Sequence, residues 1–115
     1  MKVNEIRIGN WVYLISKNKW YQIESGHDID EGIDSNDFEP ILITEEWLLK
    51  FGCEKAKRGF VIDRFRLTYN EQYKFWYVVD DSTLSYITKV EFVHEWQNVY
   101  FVLNGNELTI KINKP

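Results

Sequence analysis

The densest apolar pattern in the chain lies between positions 89 and 112. Its apolar side chains recur at the i, i+3, i+4, i+7 spacing of one helical face: Phe92, Val93, Trp96, Val99, Tyr100 and Leu103. The intervening polar residues Glu95, Gln97 and Asn98 are expected to face water. Gly105 follows, and glycine is favoured where a helix ends in a left-handed residue because it has no Cβ to clash. The pattern predicts a helix over 93–103.

A β-hairpin is the competing interpretation of this stretch. The residues from 99 to 102 are β-branched or aromatic, and Asn104-Gly105 is a favoured tight turn. The helical spacing nevertheless holds over three turns, whereas strict alternation fails after Val99. On either interpretation a final strand is predicted, in which Leu108, Ile110 and Ile112 alternate with polar residues.

The first third of the chain predicts a β-hairpin followed by a loop. Apolar runs over 11–15 and 20–24 flank the turn signal Ser16-Lys17-Asn18-Lys19. Because the first run is apolar at consecutive positions, both of its faces are expected to be covered. The segment from 26 to 36 is rich in Asp and Gly, which is typical of a loop.

A short helix is predicted after an extended segment over 40–43. Thr44 is a favoured N-cap, Glu45 and Glu46 suit the positive end of the helix dipole, and Gly52 suits the C-terminus. The apolar side of this helix is expected to consist of Trp47, Leu48 and Phe51.

A charged connection over 54–59 and then a meander of antiparallel strands are predicted next. Alternation over 65–69 and 73–79, with a loop at Asn70-Glu71-Gln72, pairs Leu67 with Phe75. The same register places Arg66 beside Trp76 and Thr68 beside Lys74 on the opposite face. The turn Asp80-Asp81-Ser82 leads into a third strand over 84–90. The elements predict one α+β domain over 1–115: a mainly antiparallel twisted sheet or partial barrel of five to seven strands with two packed helices.

Composition places the chain among folded proteins, since 17% of its residues are aromatic. No apolar run approaches the roughly 20 residues needed to cross a membrane, and the first residues contain no apolar core of a secretory signal. Cys53 is the single cysteine, which excludes an internal disulfide framework and fits a reducing compartment. We therefore expect a soluble cytoplasmic protein.

Charge is unevenly distributed although the net charge is only −4. Nine acidic residues and no Lys or Arg lie between positions 24 and 46, whereas seven basic and three acidic residues lie between 50 and 74. General nucleic-acid binding usually needs a continuous basic surface, so this arrangement weakens that function class.

Three blocks of sequence carry a resemblance to a known family. They are Arg7-Ile8-Gly9-Asn10-Trp11-Val12, then Pro40 with the run 42–52 beginning Leu42-Ile43-Thr44-Glu45-Glu46-Trp47, and the run 93–108 containing Val93-His94-Glu95-Trp96-Gln97-Asn98. In this order they resemble a family of small uncharacterised proteins common in genomes, prophages and phages of Bacteroidetes, and they span nearly the whole chain. The resemblance implies a cytoplasmic mobile-element setting and carries no catalytic residues.

The acidic segment between positions 28 and 39 invites a calcium-site interpretation. The residues Asp28, Asp30, Asp34 and Glu39 fall at positions 1, 3, 7 and 12 of an EF-hand-like loop. However, Ile33 stands at position 6, where the sharp turn needs glycine. A solvated loop or an acidic surface facing a partner is therefore favoured, and no metal ligands are predicted.

No catalytic constellation is visible. His94-Glu95 begins like a zinc-protease motif, but Asn98 stands where the second histidine is needed. His94 is expected at a helix surface or cap, and Cys53 as a small core residue without a paired base. The sequence has no phosphate-binding glycine loop, nucleophile elbow or dinucleotide fingerprint, so no cofactor is predicted.

The predicted strand face that carries Arg64, Arg66, Lys74 and Trp76 is the candidate binding surface. Guanidinium groups beside an indole can stack on bases and contact phosphates, although an ordinary solvated sheet face has the same composition. The favoured function is a non-enzymatic interaction protein of a mobile element that binds a protein partner, for example a host defence component. The alternatives are single-stranded nucleic-acid or nucleotide binding through this face and, less favoured, hydrolysis by the acidic loop. A homo-oligomer stays open.

Overall fold

The computed structural model describes residues 6–27, 29 and 37–111. Its strands are β1 (Trp11–Leu14), β2 (Lys19–Gln22), β3 (Phe38–Glu39), β4 (Glu54–Ala56), β5 (Gly59–Ile62), β6 (Phe65–Asn70), β7 (Phe75–Asp80) and β8 (Tyr86–Val90), and its helices are α1 (Glu45–Lys50) and α2 (Val93–Asn104). The backbone divides into two compact units, Met1–Leu42 with Phe92–Leu108 and Ile43–Glu91 with Thr109–Pro115.

The predicted α+β class is confirmed, with antiparallel strand pairing and two helices. The strands of the described residues form two open sheets rather than one, in the orders β2-β1-β3 and β4-β5-β6-β7-β8. The first sheet belongs to the first unit and the second sheet to the second unit.

The N-terminal hairpin is confirmed, and Val12 lies opposite Tyr21 in its register. A single 3₁₀ turn over Ile15–Lys17 joins the strands, and Asn18 adopts a left-handed backbone with a φ of 52°. Only Val12 of β1 is fully buried, so the expectation that both faces of this strand are covered is wrong. Trp11 and Tyr13, on either side of Val12, have amphipathic side chains that can remain half exposed.

Helix α2 confirms the helical interpretation of the densest apolar stretch. The Glu95 side chain accepts a hydrogen bond from the Phe92 backbone N–H at 2.9 Å at its start. Gly105, with a φ of 78°, ends it as predicted and donates its N–H to the Phe101 carbonyl at 2.9 Å. Two expectations are wrong: Gln97 and His94 are buried rather than at the water-facing surface.

Gln97 can be buried because both the nitrogen and the oxygen of its side-chain amide form hydrogen bonds with the backbone near the start of β1. It donates to the Gly9 carbonyl at 2.9 Å and accepts from the Trp11 N–H at 2.8 Å. The adjacent Asn98 oxygen accepts from Asn10 Nδ2 at 2.9 Å. Buried amides are tolerated where their donors and acceptors are satisfied in this way.

Arg7 completes this polar contact between the chain start and α2. Its Nε donates to Asn98 Oδ1 at 2.8 Å, its guanidinium forms a salt bridge with Glu107, and it lies 4.5 Å from the ring centroid of Phe101. Two of the sequence blocks that carry the family resemblance therefore meet within the first unit, where they make structural hydrogen bonds.

Two further predictions are wrong where they fall on described residues. The expected loop over 26–36 is wrong at its beginning, because Gly26, His27 and Ile29 have a helical backbone. The rest of that loop lies outside the described residues. The predicted final strand is wrong for 108–111, which have no regular structure, and Ile112 lies outside the described residues.

Helix α1 of the second unit follows the predicted signals. The Thr44 hydroxyl accepts from the Trp47 N–H at 3.3 Å, and Gly52 has a φ of 91° after the helix. The apolar side is buried as predicted, with Trp47 and Phe51 ring centroids 5.7 Å apart.

The five-stranded sheet contains a strand that the charge pattern concealed. Residues 54–59 were expected to form a charged connection, but β4 pairs with β5 around the two-residue turn Lys57-Arg58. Gly59 closes this turn with a φ of 103°, a conformation that glycine adopts without steric cost. The charged residues of β4 suit its position at the sheet edge, because charges there discourage pairing with other chains.

The predicted register between β6 and β7 is wrong. Leu67 lies opposite Val78, and Tyr69 lies opposite Trp76. The loop has four residues rather than three, because Lys74 adopts a left-handed φ of 63° and donates its N–H to the Asn70 carbonyl at 2.8 Å. Since side chains alternate between faces along a strand, this register moves Trp76 to the face opposite Arg66.

Candidate functional site

The two faces of the five-stranded sheet differ sharply in exposure. One face carries the buried apolar side chains Phe60, Phe65, Leu67, Trp76, Val78 and Val90. We call the other the aromatic face, formed by Arg66, Thr68, Phe75, Tyr77, Val79, Tyr86 and Lys89, which are half-buried or exposed. Large apolar rings on a solvent-facing sheet are the feature that needs a functional explanation.

Four rings form a continuous row along the aromatic face. The ring centroids of Tyr73 and Phe75 lie 6.1 Å apart, those of Phe75 and Tyr77 5.0 Å apart, and those of Tyr77 and Tyr86 5.8 Å apart. The two ends of the row are open to solvent, with Tyr73 63% and Tyr86 59% exposed. Mutual ring contacts hold the row in place without covering it.

An apolar depression of about 590 Å³ continues the row toward the β4–β5 turn. It is bordered by Val79, by Leu84, which is 72% exposed, and by the cations Lys57, Arg58 and Arg66. Leu84 lies in the turn before β8 with a φ of 59°, so a left-handed backbone holds this exposed side chain beside the sheet. The rings and Leu84 together give the aromatic face an exposed apolar edge.

The cations of the aromatic face are mostly engaged within the protein. Arg66 Nε lies 2.7 Å from Asp81 Oδ1, and its Nη1 donates to the Arg58 carbonyl at 3.0 Å. Lys89 Nζ lies 4.9 Å from the ring centroid of Phe75, where the ring quadrupole attracts it. The exposed lysine is thus the cation of this face that stays available to a partner carboxylate.

Asp80 organises the turn at the end of β7. Its Oδ1 accepts hydrogen bonds from the Ser82 hydroxyl at 2.6 Å and the Ser82 N–H at 3.0 Å. The hydrogen bonds from Ser82 lower the pKa of Asp80 below its usual value. The positive charge of the nearby Arg64 guanidinium lowers this pKa further. The ionised carboxylate fixes the turn that presents Leu84.

The four predicted binding residues do not form one surface. Arg66 lies on the aromatic face, whereas Trp76 lies on the opposite face, 6% exposed, and donates its Nε1–H to the Ile43 carbonyl at 3.3 Å. Lys74 lies in the β6–β7 loop. Arg64 lies in the β5–β6 turn, with its Nε 4.0 Å from Asp80 Oδ2. The predicted Arg66–Trp76 neighbourhood is therefore wrong.

The acidic candidates are mostly beyond what the structure describes. Asp28, Asp30 and Asp34 lie outside the described residues. Glu39 is exposed on β3 opposite Tyr13. Within residues 6–27, 29 and 37–111, no three His, Cys, Asp or Glu side chains lie close enough together to hold a metal ion.

Cys53 and His94 are both buried. The prediction of a small core cysteine is confirmed, and burial, reinforced by the Asp63 charge, raises the pKa of the Cys53 thiol to about 12. A thiol with that pKa is protonated at neutral pH and is a poor nucleophile. His94 stacks on Phe92 with ring centroids 6.0 Å apart, so its role is packing inside the first unit.

Sequence reasoning missed the residues that make the exposed row, above all Tyr77 and Tyr86. The alternation of Phe75, Tyr77 and Val79 was visible, but these residues were placed on the same face as Leu67, opposite the predicted binding surface. Trp76 and Val78 form an equally apolar set on the same strand, so the pattern alone could not choose between the faces.

The fold and the exposed row define a small α+β protein with antiparallel sheets and a partly exposed row of aromatic side chains. The chain matches no protein-family model, no curated protein and no solved structure. No helix in the described residues is long and apolar enough to cross a membrane.

Proposed function

We propose that the protein is a non-enzymatic interaction protein that binds a protein partner through the aromatic face. The observation that carries this proposal is the row of four touching rings whose ends, Tyr73 and Tyr86, are more than half exposed. Tyrosine supplies large, amphipathic contact area with few side-chain torsions to immobilise, and aromatic residues are enriched among the residues that dominate binding energy.

The partner surface that fits this face is apolar at its centre and carries a carboxylate at its rim. Phe75 and Tyr77 offer the apolar centre, while Lys89 offers a positive charge beside Phe75. A rim charge of this kind steers association and selects the partner more than it adds affinity. A cytoplasmic host defence component inhibited by a mobile-element protein is one specific form of this proposal.

Single-stranded nucleic acid is the alternative partner of the same face, because bases stack on exposed rings. Phosphate contacts along a strand require several available cations, whereas Arg64 and Arg66 already have carboxylate neighbours and Lys89 is the available cation of the aromatic face. The protein partner is therefore the better-supported choice.

Site-specific photocrosslinking tests the proposal. The crosslinking amino acid p-benzoylphenylalanine replaces Tyr73 or Tyr86 in turn, and Trp20, an exposed aromatic residue of β2, serves as the matched control position. Irradiation in a lysate of the source organism should yield the same crosslinked protein from Tyr73 and Tyr86 but not from Trp20.

The captured protein is then purified and titrated against the intact chain. Tyr86→Ser should raise its Kd about tenfold or more, equal to about 1.4 kcal/mol, whereas Trp20→Ser should leave it unchanged. Equal crosslinking from all three positions, or an unchanged Kd in Tyr86→Ser, would contradict the proposal. Binding of short labelled oligonucleotides that depends on Tyr86 and weakens steeply with salt would favour the alternative instead.

A further inference from the structure

A second concavity lies within the second unit, on the side of the sheet opposite the aromatic face. It is a groove of about 670 Å³ bordered by the β4–β5 turn, by Tyr69 and Glu71 near the β6–β7 loop, and by Glu45 at the start of α1. This volume is within the range of small-molecule sites, roughly 300–1,000 Å³. The sequence pattern concealed the groove because β4 was not recognised as a strand.

One wall of the groove is aromatic. The Trp76 ring centroid lies 5.1 Å from that of Tyr69 and 6.0 Å from that of Phe60. Trp76 is almost fully buried and is fixed by its hydrogen bond to the Ile43 carbonyl, whereas Tyr69 is 41% exposed. The arrangement presents the Tyr69 ring to solvent on a rigid backing, which is the geometry of a stacking platform.

Part of the rim is cationic. Lys57 and Arg58 form the exposed two-residue turn between β4 and β5. The Arg58 carbonyl accepts hydrogen bonds from Arg66 Nη1 at 3.0 Å and from the Thr68 hydroxyl at 3.2 Å, so the backbone of the turn is held in place. In the described part of the chain, neither Lys57 nor Arg58 forms a salt bridge, so both charges are available to an anion.

Two carboxylates complete the border of the groove. Glu45 lies 3.5 Å from Lys55 Nζ, and Glu71 lies in the β6–β7 loop beside Tyr69. Carboxylates accept hydrogen bonds from hydroxyl and amino groups. The groove thus combines an aromatic platform, unpaired cations and hydrogen-bond acceptors.

We infer that this groove binds a nucleoside phosphate, with the base on Tyr69 and the phosphate at Lys57 and Arg58. A bare phosphate would make no use of the aromatic wall, and a neutral aromatic molecule would make no use of the cations. The ribose hydroxyls and base amino groups supply donors for Glu45 and Glu71. This inference does not depend on the proposed protein partner, because the row of rings proposed to bind that partner lies on the face of the sheet opposite Tyr69 and Trp76.

Calorimetric titration of the intact chain with ADP, GDP, CDP and UDP tests the inference. At least one of these should bind with a Kd on the order of 10–100 µM. The matching nucleoside and pyrophosphate should each bind about tenfold more weakly or worse, since each lacks half of the recognised chemistry. No binding by any of the four nucleotides would overturn the inference, and so would pyrophosphate binding as tightly as the best nucleotide.

Matched variants locate the site. Lys57→Ala/Arg58→Ala should weaken the best nucleotide about tenfold or more, whereas Lys17→Ala/Lys19→Ala, which removes two exposed charges from the β1–β2 turn, should change nothing. Tyr69→Ala should weaken nucleotide binding about fivefold or more. Tyr69→Phe should bind the nucleotide as tightly as the unsubstituted chain, because the ring remains. Unchanged affinity in both Lys57→Ala/Arg58→Ala and Tyr69→Ala would place the ligand elsewhere and overturn the inference.

A short 5′-phosphorylated single strand, titrated in parallel, identifies the source of the ligand. If it displaces the nucleotide and binds more tightly than the nucleotide, the groove recognises a nucleotide unit of a single strand. If it binds more weakly, the ligand is the free nucleotide. Thermal melting of each variant confirms that it is folded.

Discussion

The Gln97 side-chain oxygen accepts a hydrogen bond from the Trp11 backbone N–H at 2.8 Å, and it does so at a position with no solvent exposure. The amide nitrogen of the same side chain donates to the Gly9 carbonyl at 2.9 Å. One side chain of α2 therefore satisfies a donor and an acceptor at the entry to β1. This contact fixes the start of the first sheet against the helix that completes its unit.

Gln97→Leu keeps the size of the side chain but removes both hydrogen bonds. We expect a loss of about 2 kcal/mol in the free energy of unfolding, measured by urea denaturation, because the Trp11 N–H loses its acceptor and the Gly9 carbonyl loses one of its two side-chain donors. Gln22→Leu is the matched control, since Gln22 also donates to the Gly9 carbonyl, at 3.1 Å, but from an exposed position. A loss above about 1 kcal/mol in the free energy of unfolding of Gln22→Leu, or equal losses in the two variants, would contradict the role assigned to Gln97.

The register of β6 and β7 makes a clear prediction about Trp76 and Tyr86. Trp76→Ala should cost about 3–5 kcal/mol in the free energy of unfolding, because it empties a large site in the buried face. Tyr86→Ala, on the aromatic face, should cost less than about 1 kcal/mol. The alternative register would reverse the exposure of Trp76, so a small cost for Trp76→Ala in denaturant titrations would count against the observed pairing.

Three glycines form a graded test of backbone geometry. In Gly59→Ala the added Cβ would lie 2.2 Å from the Leu67 carbonyl oxygen, at a φ of +103°, so we expect the variant to lose about 3 kcal/mol or to fail to fold. Gly105→Ala has open space but a φ of +78°, and should lose about 1 kcal/mol. Gly26→Ala meets nothing within 4 Å and should be close to neutral.

Thermal melting ranks the three variants. The order Gly59→Ala, Gly105→Ala, Gly26→Ala, from most to least destabilised, is the expected result. A Gly59→Ala variant as stable as Gly26→Ala would show that the β4–β5 turn differs from the one described.

The buried thiol of Cys53 predicts an alkaline loss of stability. Its pKa is about 12 in the folded protein, against an ordinary value of 9.0, so the unfolded chain releases the proton first as pH rises. The stabilisation is fully present below pH 9.0 and is lost as the pH rises toward about 12. At about pH 10 the loss should be roughly 1.4 kcal/mol, the value of one pKa unit.

Denaturant titrations at about pH 8 and about pH 10 measure this loss, with Cys53→Ala as the control that lacks the thiol. Other groups titrate in both proteins, so the difference between the two pH dependences isolates Cys53. Equal pH dependence in wild type and Cys53→Ala would contradict the assigned burial.

Helix α2 and helix α1 were predictable because their signals are local. A three-turn apolar stripe followed by Gly105 specifies α2, and Thr44 followed by two glutamates specifies α1. The β4 strand was not predictable, because an edge strand with charged side chains has the same composition as a charged connection.

The candidate binding surfaces were only partly predictable. The sequence shows a concentration of basic and aromatic residues between 50 and 77, but it does not specify which face of the sheet each side chain occupies. Arg66 and Trp76 were expected to be neighbours and lie on opposite faces of the sheet. Lys57 and Arg58 gained significance only when the β4–β5 turn placed them at the border of the same groove as Tyr69.

By itself, the sequence determined the α+β class, both helices with their ends, and the buried position of Cys53, because each depends on local spacing or on one residue's chemistry. Only the tertiary structure decided which face of β7 is buried. Phe75, Tyr77 and Val79 compete with Trp76 and Val78 for the core, and both sets are apolar. A four-residue loop with a left-handed Lys74, together with the acceptor that the Ile43 carbonyl provides for the Trp76 indole, selects one register. That selection leaves Phe75 and Tyr77 half-buried on the aromatic face.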